Sequence, residues 1–554
     1  MSTVQVACQY ADDVLAGKIV ACQYVKLACK RFINDLDSDR WDFDVDKAQR
    51  VLDFYPDFIR HVKGKLAGKP YQLSEWETFI LANIFGFVDP VTRMRRFRTA
   101  YNELARKNSK STLSSGIGLF MTAFDGEGGA EVYSAATTRE QARIVFDDAK
   151  TMIAKSPNLK KVFGAHKLNI HHLKSASKFE PLSSDANTLD GLNVHCGVID
   201  ELHAHKKRDV WDVIETGTGA REQSLLFAIT TAGSNKQGIC YEQRDYAIKV
   251  LNGAVDDDTY FAIIFTLDEG DDPFDEINWI KANPNLGRSK KLDDMRRLAK
   301  KAQEMPAARN NFLTKHLNIW VNAATAWLDM LKWDRLKTIP DDLDLKTLPC
   351  FIGIDLASKL DVAAVIRVFE HEKYLIYQCK FYLPENAIYT KARSIGNLYD
   401  TWAKQGYLTL TDGDIIDHEV IEEDIRQMLT DYNVQAVGYD SWGSTQLATR
   451  LERDGAPMVE IPQTVKNLSE SMKEIEARVI AGTILKDKNP MMDWMASNVI
   501  TKLDKNENYF PDKEHQDNKI DGMVALFMAV NRILTSVAYF DPFSDIGDIE
   551  DLII

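Results

Sequence analysis

No CxxC pair, no basic-then-apolar signal pattern and no apolar run long enough to cross a membrane occur in these 554 residues. The seven cysteines (Cys8, Cys22, Cys29, Cys196, Cys240, Cys350 and Cys379) are scattered, several in apolar strand-like runs where a thiol serves as a small core residue. A disulfide framework and a zinc site are therefore excluded, and a reducing cytoplasm is expected. An excess of basic charge is also missing: the net charge of −14 argues against a protein that coats nucleic acid, though not against local contact. Clusters available for such contact are Arg93-Met-Arg-Arg-Phe-Arg98, Lys206-Lys-Arg208, Arg288-Ser-Lys-Lys291 and Arg296-Arg297, each more readily read as a solvated face.

Glycine is missing where a phosphate loop would most use it. Strand Phe97 to Leu104 runs into Ala105-Arg-Lys-Asn-Ser-Lys-Ser-Thr112, after which a helix begins. That order presents free helix N–H groups and a positive dipole end to an anion, with Lys110 for the outer phosphates and Ser111 as a hydroxyl ligand for Mg²⁺. The pattern GxxxxGK[ST] is nevertheless broken at Leu104 and Ser109. A second segment supports the first: the apolar run Val194 to Ile199 ends in Asp200-Glu201. A P-loop ATPase uses such a pair to hold Mg²⁺ with the first carboxylate and to activate water with the second.

At 62.8 kDa the chain exceeds one ordinary core, so two large domains are expected. Residues 1–60 read as a helical segment, with Ala-Cys-Gln-Tyr at 7–10 repeated at 21–24 and its small residues on one helix face. Its purpose is helix packing or a partner-binding arm. Residues 61–325 read as one domain in which strands alternate with helices from about 70 to 270, which implies a largely parallel sheet, followed by a charged helical stretch over 292–316. Leu225 to Thr230, followed by Thr231, ends in hydroxyls where a γ-phosphate sensor would sit. Tyr71-Gln-Leu-Ser-Glu-Trp76 offers an aromatic and amide pair to face adenine, or a surface aromatic patch. His203 and His205 form an HxH pair without further ligands, and read as loop residues or groups behind the site.

Residues 326–348 read as a linker and 539–554 as an acidic tail. Between them, in 349–538, Asp355 closes one apolar strand, Asp440 closes another and Asp521 opens the last helix. An RNase H-like fold gathers carboxylates in this way around two divalent ions, which ligate the scissile phosphate, generate hydroxide and stabilise the leaving oxygen. Three such charges repel, so the metal-free site should be strained and partly protonated. Asp361 is a further ligand or a solvated strand start.

With these residues assembled, the chain resembles the large terminase subunits of tailed bacteriophages, of the Hong Kong 97 type. The marks are Trp76 with Phe85-Gly86, Arg106-Lys-Asn-x-Lys-Ser111, Gln141-Ala142, Val198-Ile-Asp-Glu-Leu-His203, Gly219-Ala-Arg221 before Thr230-Thr-Ala-Gly233, Leu383-Pro-Glu385 and Lys519-Ile-Asp-Gly522, in that order. The resemblance implies an α/β chain with an N-terminal P-loop (ASCE/RecA-like) motor ATPase and a C-terminal RNase H-like nuclease. Such an enzyme cuts concatemeric double-stranded DNA and pumps it through a portal protein into a capsid. It works with a small terminase subunit, as a homo-oligomeric ring, often a pentamer, in the host cytoplasm and outside the mature virion. Carried over by position, Arg106, Lys107, Asn108, Ser109, Lys110, Ser111 and Thr112 cradle ATP. Asp200 with Ser111 holds Mg²⁺, and Glu201 is the base. Thr230 or Thr231 couples hydrolysis to movement, and Asp355, Asp440 and Asp521 hold two Mg²⁺ or Mn²⁺. A ring also needs an arginine donated between subunits, for which Arg139, Arg143 and Arg221 are candidates. Ser109 departs from the family's glycine, and a negative φ would let serine take its place. The competing readings are an ATP-driven helicase or remodeller and a portal-docking DNA-binding scaffold with degenerate sites.

Overall fold

The computed structural model describes residues 3–137, 139–182, 191–205, 207–323, 327–356, 361–390, 393–505, 508–515 and 517–537. The expected acidic tail, Lys206 and the first residue of the expected linker lie outside the described residues. Two compact units divide after Val321.

The first unit is built on an eight-stranded sheet. Strand Thr99–Glu103 pairs in parallel with Tyr260–Ile264 on one side and with Leu225–Thr230 on the other. Leu225–Thr230 in turn pairs with Val194–Asp200, and the sheet continues through Glu131–Ala135 and Ser177–Pro181. An additional strand thus separates the strand that feeds the phosphate loop from the strand that ends in acid, the arrangement for which the ASCE class is named. Every residue of Val194–Asp200 and Leu225–Thr230 is buried, as expected of central parallel strands covered on both faces. Register then fixes the site: Glu103 stands opposite Thr230, and Asp200 opposite Ile229, so all three strands end at one edge.

The repeated Ala-Cys-Gln-Tyr does not lie on one helix. Gly17, at φ +74°, breaks the segment into helices Thr3–Leu15 and Gln23–Leu36, and the second copy begins just ahead of the second helix. Ala7, Ala11, Cys22, Ala28 and Cys29 are all buried, so both copies serve packing within the first unit's core. The cluster at 93–98 is equally committed. Arg95 is buried against Asp125 (2.8 Å) and Arg96 against Asp35 (2.7 Å) and Asp258 (2.9 Å), so it forms neither a phosphate grip nor a solvated face.

In the second unit the strands run Tyr374–Pro384, Ala363–His371, Pro349–Asp355, Asn433–Tyr439 and Met458–Glu460 across the sheet. Ala363–His371 is antiparallel to the neighbour on each side, and the last two run parallel to Pro349–Asp355. This 3-2-1-4-5 order, with helix Asp521–Val537 packed across it, is the RNase H-like layout. The tract expected to be a linker is folded into this unit. Lys337–Thr338 pairs with Ile484–Lys486, and Trp333 is fully buried, its indole donating to Asp493 (2.7 Å). Its Asp and Pro residues suggest a tether, but the apolar residues around them secure it.

Helix Asp521–Val537 crosses the sheet over two glycines. A Cβ on Gly353 would stand 1.8 Å from the Ala525 carbonyl oxygen, and one on Gly438 would meet Ile461 Cδ1 at 2.6 Å and the Met528 carbonyl oxygen at 3.2 Å. Each glycine precedes its aspartate, Asp355 or Asp440, by two residues and so shares its sheet face. The same close approach that requires glycine brings Asp521 near Asp355, which also feels the charge of Asp440.

Candidate active sites

The phosphate loop joins strand Thr99–Glu103 to helix Lys110–Ala123. Ser109 adopts φ +62° and Lys107 φ +70°, so the negative φ that would let serine replace glycine without strain is not met. The loop keeps the left-handed turn that glycine takes freely, and two side-chain-bearing residues adopt it at a cost of roughly 1–2 kcal/mol each. Asn108 holds that turn. Its Nδ2 donates to the Ala105 carbonyl (3.0 Å) and Asn283 Oδ1 (3.1 Å), and its Oδ1 accepts from Asn285 N–H (3.1 Å). Ser289 adds a bond to the Lys107 carbonyl (2.8 Å).

Lys110 is buried, its Nζ bonded to Thr231 Oγ1 and 3.9 Å from Glu201 Oε1. Loss of hydration draws its pKa below the ordinary lysine value. Ser111 and Thr112 follow in the first helical turn, half-buried, while Arg106 and Lys107 are exposed on the rim. Burial, reinforced by the neighbouring Glu201 charge, raises Asp200 to about 6. Burial would raise Glu201 too, but His203 and Lys110 outweigh it and hold this carboxyl below its usual range. The pair is therefore unequal: Glu201 holds its charge beside His203 and Lys110, whereas Asp200 keeps its proton more readily and a cation would favour its ionised form. Ser111 and Asp200 are hard oxygen donors of the kind Mg²⁺ takes.

Beside Ser109 a cleft of about 590 Å³ is lined by Tyr71, Gln72, Asn285 and Arg288, among others. Tyr71 and Trp76 form no surface patch. Tyr71 is buried with its hydroxyl donating to Glu77 (2.6 Å), and Trp76 donates to Asn285 Oδ1 (3.0 Å). Within Tyr71 to Trp76 it is Gln72 that lines the cleft with an exposed side chain.

Lys315 was not foreseeable from sequence. It lies in the last turn of helix Pro306–Leu317, with its Nζ 2.9 Å from His203 Nε2 and its carbonyl accepting from Arg106 N–H (2.9 Å). Burial, then the charge of Arg106, lowers it to about 8. A basic residue in a last helical turn is common, so the sequence carried no signal. His203 Nδ1 is 3.1 Å from Glu201 Oε2 and 3.2 Å from Thr230 Oγ1. His205 is buried and brought to about 4 by loss of hydration; the two histidines do not pair as ligands. Arg221 lies at the opposite end of the sheet from Thr230, bonded to Glu127 (2.9 Å) and to the Gly129 carbonyl (2.7 Å). Arg143, on helix Arg139–Lys155, has a third of its side chain exposed and stands 3.8 Å from Asp147. The side chain of Arg139 is outside the described residues.

In the second unit Asp355 and Asp440 end neighbouring parallel strands, and Asp521 begins the crossing helix. Burial, then the charges of Asp521 and Asp440, holds Asp355 well above the carboxylate range. Burial with the charge of Asp361 puts Asp521 at about 6. Asp521 Oδ2 is buried with no hydrogen-bond donor among the described residues. Among the described residues, no three acidic, histidine or cysteine side chains close into a preformed metal cage. An orphaned buried oxygen beside mutually repelling carboxylates nonetheless suits a hard divalent cation. Gln463, which escaped the sequence reading, donates to Asp355 Oδ1 (3.2 Å), and Lys519, quoted there as a family mark without a role, pairs with Asp361.

A family model described as terminase large subunit, ATPase domain, matches residues 75–249, and one described as terminase large subunit, endonuclease domain, matches residues 254–536. The second match begins ahead of strand Tyr260–Ile264, which the fold keeps in the first sheet beside Thr99–Glu103. The chain is 36% identical over 357 residues to protein YmfN of Escherichia coli (strain K12), covering 62% of this chain and 78% of that protein. It is 26% identical over 501 residues to the terminase large subunit of Enterobacteria phage HK97, covering 87% and 95% respectively. The crystal structure of the HK97 large terminase aligns with a TM-score of 0.44 and 24% identity over 88% of this chain and 99% of that one.

Proposed function

This chain belongs to the terminase large subunit family, its ATPase domain ahead of its endonuclease domain, and on that premise we propose that Lys110, Ser111, Asp200, Glu201 and Thr231 form one hydrolytic centre and Asp355, Asp440 and Asp521 the other. As a member of the family it is an ATPase and endonuclease of a genome-packaging motor, and it uses ATP and divalent metal.

The observation that carries the first centre is the convergence of Lys110, Thr231 and Glu201 at one sheet edge. Lys110 binds the outer phosphates of ATP, with Gln72 facing adenine in the adjoining cleft. Arg106, Lys107, Asn108, Ser109 and Thr112 shape and rim the phosphate loop. Glu201, held ionised, takes a proton from the attacking water. Asp200, which favours a cation, ligates Mg²⁺ with Ser111; when bound, that ion offsets charge on the phosphates. Thr231, bonded to Lys110, and Thr230, beside His203, register whether the outer phosphate is present.

In the second centre Asp355, Asp440 and Asp521 hold two Mg²⁺ or Mn²⁺ ions, which when bound offset charge on the scissile phosphate and the leaving oxygen. The substrate is double-stranded DNA and the partners are the portal protein, a small terminase subunit and further copies of this chain in a ring, expected to be a pentamer. Arg143, with a third of its side chain exposed, suits reaching a neighbouring subunit better than Arg221, which is engaged within its own chain, and Arg139 stays a candidate on its sequence position. The work is done in the infected host's cytoplasm, apart from the mature virion. Among the described residues no helix is long and apolar enough to cross a membrane.

DNA-stimulated ATP hydrolysis tests the first centre: Glu201→Gln should abolish turnover, and an unchanged rate would remove the motor assignment in favour of a scaffold with degenerate sites. Mn²⁺-dependent plasmid nicking tests the second. It should vanish in Asp355→Ala, and nicking that survives would leave an ATP-driven remodeller as the better reading.

A further inference from the structure

Three groups at the ATPase centre form a directional chain. An ammonium has hydrogen-bond donors and no acceptor, so Lys315 Nζ, 2.9 Å from His203 Nε2, requires that nitrogen to be the acceptor. The ring proton of a neutral imidazole must then sit on Nδ1. Nδ1 faces two oxygens, Glu201 Oε2 at 3.1 Å and Thr230 Oγ1 at 3.2 Å. Thr230 Oγ1 already accepts the His203 backbone N–H (2.9 Å) and donates to the Thr231 carbonyl (3.1 Å), which fixes its orientation. Glu201 Oε2 is buried and, among the described residues, has no hydrogen-bond partner of good geometry. The Nδ1–H is thus bonded to the proposed coupling threonine and stands 3.1 Å from the proposed base, and its position depends on Lys315. Lys315 also contacts the phosphate loop, through the bond from Arg106 N–H to its carbonyl (2.9 Å).

We infer that Lys315 is a positioning residue for ATP hydrolysis: it locks His203 in the Nδ1–H tautomer and so aims one donor between Glu201 and Thr230. This rests on the reading of Glu201 as the base. Without Lys315 the imidazole is free to place its proton on Nε2, where Nδ1 becomes an acceptor and turns a lone pair toward the Glu201 carboxylate. Repulsion then swings the carboxylate away from the line of attack. Because the main chain of the same residue holds Arg106, a displacement of the phosphate loop on nucleotide binding reaches the base through a single residue.

The test uses the full chain. In Lys315→Met, which keeps the aliphatic stem, kcat for ATP should fall about ten- to a hundredfold, the range expected for a misplaced catalytic group. Its affinity for a fluorescent ATP analogue should change by less than about threefold, since uniform binding is not what is lost. Selective ¹⁵N labelling of histidine, with His203 assigned through His203→Asn, should show Nδ1 protonated in the wild type and the tautomer shifted in Lys315→Met. Lys315→Arg, which keeps a cationic donor, should restore it. His203→Asn should lower kcat to a similar degree, and combining it with Lys315→Met should add little, because residues acting through one chain are not additive. Unchanged kcat in Lys315→Met, a loss confined to KM, an unshifted tautomer, or additive effects would each overturn the inference. If Lys315→Met does not fold, the tautomer in Lys315→Leu, which likewise carries no donor, measured beside kcat, decides in the same way. Glu201→Gln separates the two levels. If it leaves turnover intact, the base assignment falls and takes the positioning role with it. If it abolishes turnover while Lys315→Met does not, only the positioning role falls.

Discussion

Gly353 and Ala525 approach so closely that a methyl group on the glycine would stand 1.8 Å from the Ala525 carbonyl oxygen. The obstacle is backbone, so a larger residue must lift helix Asp521–Val537 from the sheet and draw Asp521 away from Asp355. Gly353→Ala is expected to cost about 3 kcal/mol or more, to lower the second unit's thermal midpoint and to abolish Mn²⁺-dependent nicking while ATP hydrolysis persists. Gly438→Ala meets the end of the Ile461 side chain first and should be milder. Wild-type nicking by Gly353→Ala would contradict this geometry.

Ser109 holds the left-handed conformation that its position demands. Ser109→Gly should therefore stabilise the protein by about 1 kcal/mol, net of the added freedom of the unfolded chain, and bind ATP at least as tightly. Ser109→Val, with a branched side chain forced to φ +62°, should be less stable than wild type. Thermal unfolding and a fluorescent ATP titration provide both readings; a destabilised glycine variant would count against the strain.

Asp521 links stability to pH and metal. Its pKa rises from 3.8 to about 6 on folding, so the stabilisation tied to its proton is complete below pH 3.8 and is lost as pH rises through about 6. Near pH 7.5 and without metal, Asp521→Asn should be more stable than wild type, by on the order of 2 kcal/mol. Near pH 4 that difference should close, and Mn²⁺ at pH 7.5 should raise the wild-type melting midpoint but not the variant's. Calorimetry with and without chelator reads this directly; a pH-independent difference would refute the assignment.

Asn108 tests the latch on the phosphate loop. Asn108→Asp keeps the shape but replaces two donated bonds with a carboxylate facing the Ala105 carbonyl and Asn283 Oδ1. A cost of about 2–3 kcal/mol follows from burying unmatched acceptors, with weakened ATP binding; Asn108→Ala should be less harmful. Equal ATP affinity in all three proteins would show that the latch does not shape the loop.

The strand ends were readable in the sequence because apolar runs stopping at Asp200, Asp355 and Asp440, or at Thr230, leave little choice about where the polar group emerges. Asp521 was readable because a long apolar helix follows it. Lys315 was not, because its meaning comes from His203, more than a hundred residues earlier, and from a helix turn where lysine is commonplace. The sign of the Ser109 φ was equally hidden: serine usually avoids that region, and the bonds of Asn108 to Asn283 and Asn285, distant in sequence, help hold it there. Arg221 was placed by its nearness in sequence to the Thr230 strand, but it precedes the start of that strand and therefore lies a strand's length from its end. The tract at 326–348 looked like a tether because Asp and Pro dominate its middle, while Trp333 and a short strand anchor it.

Asp355 and Asp440 stand on adjacent hydrogen-bonded strands, with Ile354 in register with Tyr439. Their spacing is set by the pitch of a β-sheet, about 4.8 Å, which no ligand adjusts. Asp521 alone rides on a helix, whose height is governed by glycine contacts. The width of the proposed metal site is accordingly set by how that helix beds on the sheet, and Gly353 and Gly438 govern it without being proposed to touch an ion.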